Sequence, residues 1–548
     1  QEPPMTTPSP GTPGIASRAS RSVAMGRKGM IATSQPQASI AGLEMLRDGG
    51  NAIDAAVTAA AVLSVVEPTM TGIGGDLFAI VHDASRGTTR GLNASGRSAY
   101  SADLDHLQAS GHTCVPEHGV LSATVPGAVD GWHRLLTDHG TVPLERALAP
   151  AVTFARDGFP VAEVVARQWN DATSLLAADP TTAALFLPKN RAPIPGELFV
   201  NRPLADSLEA IASEGPDVLY RGAIAQAIAS DITRRGGWLT IQDLDDHRSD
   251  WMAPIRTSIG EVELLELPPN TQGFVAIEAL NILANDDLSQ LGHNSGDYLH
   301  LVLEALAVAF DDRAAYLADP DAVPDETLAR LISPAYAEHR RRQISSEHVR
   351  SGETDPSEPD AIIPKGATGD TVYLAAADAQ GNLISLIQSL YSGFGAGIVA
   401  GSTGIVLHNR GSLFNTDPLH PNHLAPHKRP LHTLAPAMVC RRGRPWLAFG
   451  VMGGDMQPQG HLQVLLNLTC FGMNIQEAGE APRARYDTSG ICLEQGIPDT
   501  TATNLRHRGH TLIDGLGFGG FQGVLIDFET GTLMGGSDPR KDGLALGW

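Results

Sequence analysis

At 548 residues the chain is long enough to bury a sizeable core, and length alone allows about three domains. Its 39 Lys and Arg against 61 Asp and Glu leave a formal net charge of −22, spread along the chain like a solvated acidic surface, which argues against nucleic acid or an anionic membrane as partner. Charged residues are only 18% and glycines number 58, the small, turn-rich make-up of a sheet-and-loop enzyme core.

The opening QEPPMTTPSPGTPGIASRAS, rich in Pro, Ser and Thr and lacking an apolar h-region, reads as a disordered leader over residues 1–24, with Met5 as a natural start. GMIATSQP predicts a short strand, and ASIAGLEMLRDGG a helix with Ile40, Leu43 and Leu46 on one face, closed by a glycine pair. NAIDAAVTAAAVLSVVEP predicts a second, Ala-rich helix from an Asn cap to the residue before Pro68, its apolar run too short to span a membrane. MTGIGGDLFAIVHD turns on glycines into a strand. Residues 125–345 read as mostly helical, most clearly in SGDYLHLVLEALAVAFDDRAAYLADPD, where Leu299, Leu301, Leu303, Leu306 and Phe310 recur at helical spacing. The Ser/Glu/Pro/Gly tract at 345–370 is a natural linker or cleavage loop. After it come a hairpin, the glycine-rich SGFGAGIVAGSTG, the Pro/His-rich NTDPLHPNHLAPHKRPLHT, and WLAFGVMGGDMQPQGH running into an apolar helix. Helix before the loop and sheet after it is the expected broad pattern. Cys114, Cys440, Cys470 and Cys492 show neither CxxC spacing nor clustering, so free thiols, no metal and a cytoplasmic location are expected.

GDTVYLAAADAQGNLISLIQSL, from Gly369, predicts two strands, Thr371 to Asp378 and Asn382 to Tyr391. Ala379, Gln380 and Gly381 form the turn, with glycine where a left-handed conformation is needed. Pairing Asp378 with Asn382 sets Thr371 opposite Ser389, hydroxyl beside hydroxyl, and a slip of one residue would undo that. A threonine hydroxyl needs a base, and a free amino terminus on the same residue supplies one. Its unperturbed pKa of about 7.7–8.0 leaves a useful neutral fraction at physiological pH. Such a terminus arises if the Thr371 hydroxyl attacks the Asp370 carbonyl, forming an ester that water opens. An ordinary β-branched strand residue after a turn is the competing reading. Gly453 and Gly454, between a predicted strand and a predicted helix, offer bare N–H groups able to hold an oxyanion; a plain turn is the alternative.

With these stretches in view, the chain resembles the γ-glutamyltranspeptidase family of N-terminal-nucleophile hydrolases. GGNAIDAAVTAAAVLSVVEP, TGIGGDLFAIVHD, VPGAVDGW, AFDDRAAYLADPD, PPNTQGF, GDTVYLAAADAQGN, FGAGIVAGSTGIVLHN, KRPLHTLAPA and APRARY all stand in the family's order, over nearly the whole chain after the leader. The resemblance implies an α+β fold, a four-layer αββα sandwich, from a precursor that cuts itself between Asp370 and Thr371. A large chain of 25–370 and a small chain of 371–548 would then associate in one domain, with a dimer of such pairs left open. It implies Thr371 as nucleophile, Ser389 as its supporting hydroxyl, Gly453 and Gly454 as oxyanion hole, and Arg97 in NASGRSAY as the arginine that takes a substrate carboxylate. No cofactor is called for.

The departures from the transpeptidase pattern fall around the substrate. Tyr391 stands where the family has Asn, Leu413 where it has the acid that pairs with the substrate's ammonium, Arg410 where it has Gln, and His432-Thr433 where it has Ser-Ser. An acid is lost while a guanidinium and an imidazole able to carry charge are gained. That predicts a small substrate whose acyl group bears carboxylate but no ammonium, such as oxalyl or glutaryl. Simple repacking is the alternative for Tyr391 and Leu413. The branch it resembles includes cephalosporin-acylase-like and oxamate-amidohydrolase-like members, and homologues in alkylproline antibiotic pathways that hydrolyse a carbon–carbon bond to release an oxalyl unit. True γ-glutamyl transfer (glutathione hydrolysis) and a catalytically silent binding protein remain as alternatives.

Overall fold

A computed structural model describes residues 19–350, 370–515 and 517–548. Two seven-stranded sheets, antiparallel throughout, form its centre. The first runs Leu544–Gly547, Gly29–Thr33, Asp370–Asp378, Leu383–Tyr391, Asp76–Asp83, Thr88–Ala94, Asp250–Met252, so the expected hairpin occupies its middle. The second runs Ala24–Gly26, Thr532–Ser537, Phe521–Asp527, Arg444–Val451, Ala437–Arg441, Val262–Glu266, Ile255–Ile259.

The hairpin is apolar on both faces because both faces are covered. Val372, Leu374 and Ala376 point into a core shared with the helices Pro36–Arg47 and Ala52–Val66, while Tyr373, Ala375 and Ala377 point into a core between the sheets with Phe78, Met438 and Val524. Burying a side chain such as Phe78 contributes about 1.5–3 kcal/mol. The outer face of the second sheet packs under Phe274–Ile282, Gly296–Tyr316 and Met456–Thr469. Helix, sheet, sheet, helix is the αββα sandwich expected from the resemblance.

Asn51 caps the second helix through a capping box with Asp54, as the sequence indicates. The expectation for the first helix holds in part: Leu46 is buried and Leu43 packs partly buried against the core, but Ile40 is 47% exposed, and the buried face turns toward Ala38, Ala41, Gly42 and Met45. Close approach explains the choice, since a Cβ on Gly42 would lie 2.2 Å from Ile31 Cδ1 and 3.1 Å from the Ala55 carbonyl oxygen. The expected helix-then-sheet order also needs correction, because each sheet takes strands from both sides of the 345–370 tract. Residues 351–369 of that tract, and 1–18 of the expected leader, lie outside the described residues. Residues 20–24, placed within the expected leader, are held in the fold: Ser20 N and Oγ donate to Glu480 at 2.6 and 2.8 Å, and Ala24 pairs with Gly535. All four cysteines are unpaired, and among the described residues no helix is long and apolar enough to cross a membrane.

Candidate active site

The turn at Gly381, φ +92°, sets the hairpin in the expected register, from Ala377 opposite Leu383 to Val372 opposite Gln388. There the ladder slips, and Asp370 pairs with Tyr391. Between these two pairs Thr371 stands opposite two residues, Ser389 and Leu390, so the bulge lies in the partner strand, the usual device for re-aiming a side chain. Its buried Oγ1 donates to Ser389 Oγ at 3.2 Å, and that oxygen also accepts the Tyr391 N–H at 2.7 Å. Tyr391 adopts φ +85°, rare for an aromatic residue and of order 1–3 kcal/mol in strain. The contorted backbone turns the Tyr391 N–H onto Ser389.

Ser389 pairs across to Asp76 on the neighbouring strand, so Thr371, Ser389 and Asp76 form a row of side chains on the inter-sheet face. Asp76 is fully buried, and sequence reasoning missed it. Its Oδ1 accepts the N–H groups of Gly96 and Gly127 at 3.1 and 3.3 Å, and its Oδ2 the His432 Nε2–H at 3.0 Å. Burial pushes this carboxyl up, but His408, His432 and Arg410 outweigh it and bring it to about 2. His432 Nδ1 accepts the Leu434 N–H at 3.3 Å, which fixes the proton on Nε2. Burial and Arg410 together hold the ring down to about 3, so His432 is neutral, and its expected role as a second cation is corrected.

Arg410 opens a 3-10 turn, Arg410–Leu413, and is fully buried. Its guanidinium lies 4.3 Å from the centre of the Tyr391 ring, and Nη1 donates to Thr433 Oγ1 at 2.9 Å. Nε and Nη2 are buried with no hydrogen-bond partner among the described residues. Burial draws Arg410 down to about 10, still cationic at neutral pH. A buried guanidinium with two idle donors costs several kcal/mol unless an anion meets it. Leu413, from the same turn, sits in the apolar core with Tyr391, Leu431 and Phe310. Arg97 stands further out, its guanidinium 3.9 Å from Asp250, while its neighbour Gly96 reaches Asp76.

Gly453 and Gly454, at φ +110° and +58°, lead from the strand Arg444–Val451 into the helix Met456–Thr469. Among the described residues neither N–H is hydrogen-bonded. The carbonyls of Gly454 and Thr433 accept from one amide, Gln272 Nε2, at 2.9 and 2.8 Å, which brings the glycine pair alongside the Arg410 pocket. Two hydroxyls thus lie within hydrogen-bond reach of each other, and around Gln272, Thr433 and Arg410 stand two N–H groups without a partner among the described residues and a buried guanidinium with two unbonded nitrogens. Among the described residues no group of three or more His, Cys, Asp or Glu could hold a metal ion.

The family model described as Gamma-glutamyltranspeptidase matches residues 38–548. The chain is similar to the glutathione hydrolase-like YwrD proenzyme of Bacillus subtilis (strain 168), 40% identical over 535 residues that cover 95% of this chain and 99% of that protein. It is similar to the oxamate amidohydrolase proenzyme of Klebsiella pneumoniae subsp. pneumoniae, 33% identical over 536 residues, 95% and 98% of the two chains. The crystal structure of a cephalosporin acylase from Bacillus halodurans matches with a TM-score of 0.89 at 38% identity, covering 100% of this chain and 99% of that one.

Proposed function

Since the chain belongs to the γ-glutamyltranspeptidase family and is an enzyme of the N-terminal-nucleophile hydrolase class, we propose that it cuts itself before Thr371 and then hydrolyses small amides whose acyl group carries a carboxylate. The observation that carries this reading is the Thr371 hydroxyl, set opposite the bulge of the neighbouring strand and 3.2 Å from Ser389 Oγ. In the precursor, Thr371 Oγ attacks the Asp370 carbonyl; the amide becomes an ester, and water releases the Asp370 carboxylate and a free Thr371 amine. In turnover that amine takes the Oγ proton as the oxygen attacks the substrate carbonyl. The Gly453 and Gly454 N–H groups hold the oxyanion, the leaving amine departs with the proton, and water frees the acid from the acyl-enzyme.

Arg410 supports the substrate class. Its two idle nitrogens suit a carboxylate, Thr433 holds the guanidinium in place, and Tyr391 stacks against it. Leu413 offers nothing to an ammonium, which weighs against γ-glutamyl transfer. The similarity to a protein named for oxamate, an amide beside a carboxylate, points the same way.

The test is a panel of oxalyl, glutaryl, γ-glutamyl and neutral acyl anilides, together with an oxalyl ketone for carbon–carbon cleavage. Oxalyl or glutaryl anilides are expected to turn over fastest. Arg410→Ala is expected to raise KM about 10- to 100-fold for these and to leave the neutral anilide within threefold. Equal effects on both would count against the carboxylate, and faster γ-glutamyl transfer to a dipeptide would favour the ordinary family activity.

A further inference from the structure

We propose that Gln272 and Arg313 are positioning residues that brace the Gly453–Gly454 loop, a role that rests on the reading of that loop as the oxyanion hole. Gln272, in PPNTQGF, is fully buried, and every polar atom of its side chain is used. Its Nε2 donates to the Gly454 and Thr433 carbonyls at 2.9 and 2.8 Å, and its Oε1 accepts from Arg313 Nη1 at 2.5 Å. Two carbonyls on one end and a guanidinium on the other leave one orientation for the amide. The backbone is tied as well: Gln272 N–H donates to the His432 carbonyl at 3.1 Å, and His432 N–H to the Asn270 carbonyl at 2.7 Å.

Arg313, in AFDDRAAYLADPD, completes the brace by gripping Asp455, the residue after the glycine pair, with Nη1 to Oδ1 at 2.6 Å. Asp455 occupies the cap position of the helix Met456–Thr469, where an aspartate ordinarily accepts an N–H of the first turn; here it makes no such bond. The side chain is diverted from capping its own helix to hold Arg313. Two left-handed glycines make a permissive stretch of backbone, and among the described residues their N–H groups have no hydrogen-bond partner. The direction of those donors depends on what fixes the carbonyl of Gly454 and the residue after it. Gln272 and Arg313, from the amino-terminal side of Thr371, do both, and the Thr433 carbonyl ties the loop to the Arg410 pocket.

The experiment uses the full-length chain with Gln272→Met, which keeps length but neither donates nor accepts comparably, and Arg313→Lys, which keeps one charge contact. Intact mass and melting temperature are recorded for each, then kcat and KM on the anilide that the parent hydrolyses best. Misplaced donors weaken the transition state more than the bound substrate, so kcat is expected to fall about 10- to 100-fold in Gln272→Met with KM within threefold. If Gln272→Met does not fold, Arg313→Lys carries the test with the same expected split. An unchanged kcat, or a rise confined to KM, in the folded variant overturns the inference while leaving the proposed function standing. A parent that hydrolyses no anilide overturns that function and this inference together.

Discussion

Thr371 has few groups from which to draw a base. Ser389 Oγ is a hydroxyl already accepting the Tyr391 N–H, and His432 is committed at both nitrogens, to Asp76 and to Leu434. His432 is also held near 3, far below working pH. That leaves the amine that the proposed cleavage would create. Because only the neutral amine accepts a proton, kcat/KM is expected to fall tenfold per pH unit below the amine's pKa, about 7.7–8.0 when unperturbed. Profiles of the parent and His432→Gln should share that limb; an inflection near 6.5 that disappears in the variant would make imidazole the base. The meeting of Thr371 and Ser389 was legible in the sequence, since a strand period of two and the Gly381 turn set the register. The bulge was not, because nothing local distinguishes it from a regular ladder. Asp76 escaped notice for another reason: an acid after Gly-Gly reads as a turn residue, and His408, His432 and Gly96 come to it only through the fold. Its alternation with Phe78 and Ile80, both buried, was the one available signal.

If Gly453 and Gly454 hold the oxyanion as proposed, the loop and helix that follow the strand Arg444–Val451 set the direction of their N–H groups. A Cβ at Gly453 would stand 3.1 Å from the Cα of Gly519, on a backbone at φ +110°. Gly453→Ala is therefore expected to cost about 1–2 kcal/mol in strain and to lower kcat about 100- to 1,000-fold as the N–H groups swing away. Gly472→Ala is the control, because Gly472 has φ +62° and open space around it. Comparable losses of melting temperature with a kcat loss in Gly453→Ala alone are the expected result; equal kcat losses would remove the loop's special role. Helices were largely legible because caps and breakers are local, as with Asn51 and Asp54. The face of the first helix was legible only in part, at Leu43 and Leu46. Ile40 satisfies the apolar pattern, yet Gly42 and its small neighbours win the buried side by letting two helices and a strand come close.

Both sheets interleave segments from before and after Thr371. Gly29–Thr33 lies between Leu544–Gly547 and Asp370–Asp378 in one sheet, and Val262–Glu266 beside Ala437–Arg441 in the other. Long-range pairing of this kind leaves little trace in a local pattern, so short strands such as Asp250–Met252 and Ile255–Ile259 passed as part of a helical region. It also means that a break before Thr371 would leave two pieces sharing three cores, with no surface on which to part. Everything proposed for the chemistry depends on that break freeing one amine. Amino-terminal sequencing of active, purified protein tests it most directly: a polypeptide beginning Thr-Val-Tyr-Leu is expected, absent from Thr371→Ala. Full activity from an uncut chain, or from one cut at another bond, would contradict it.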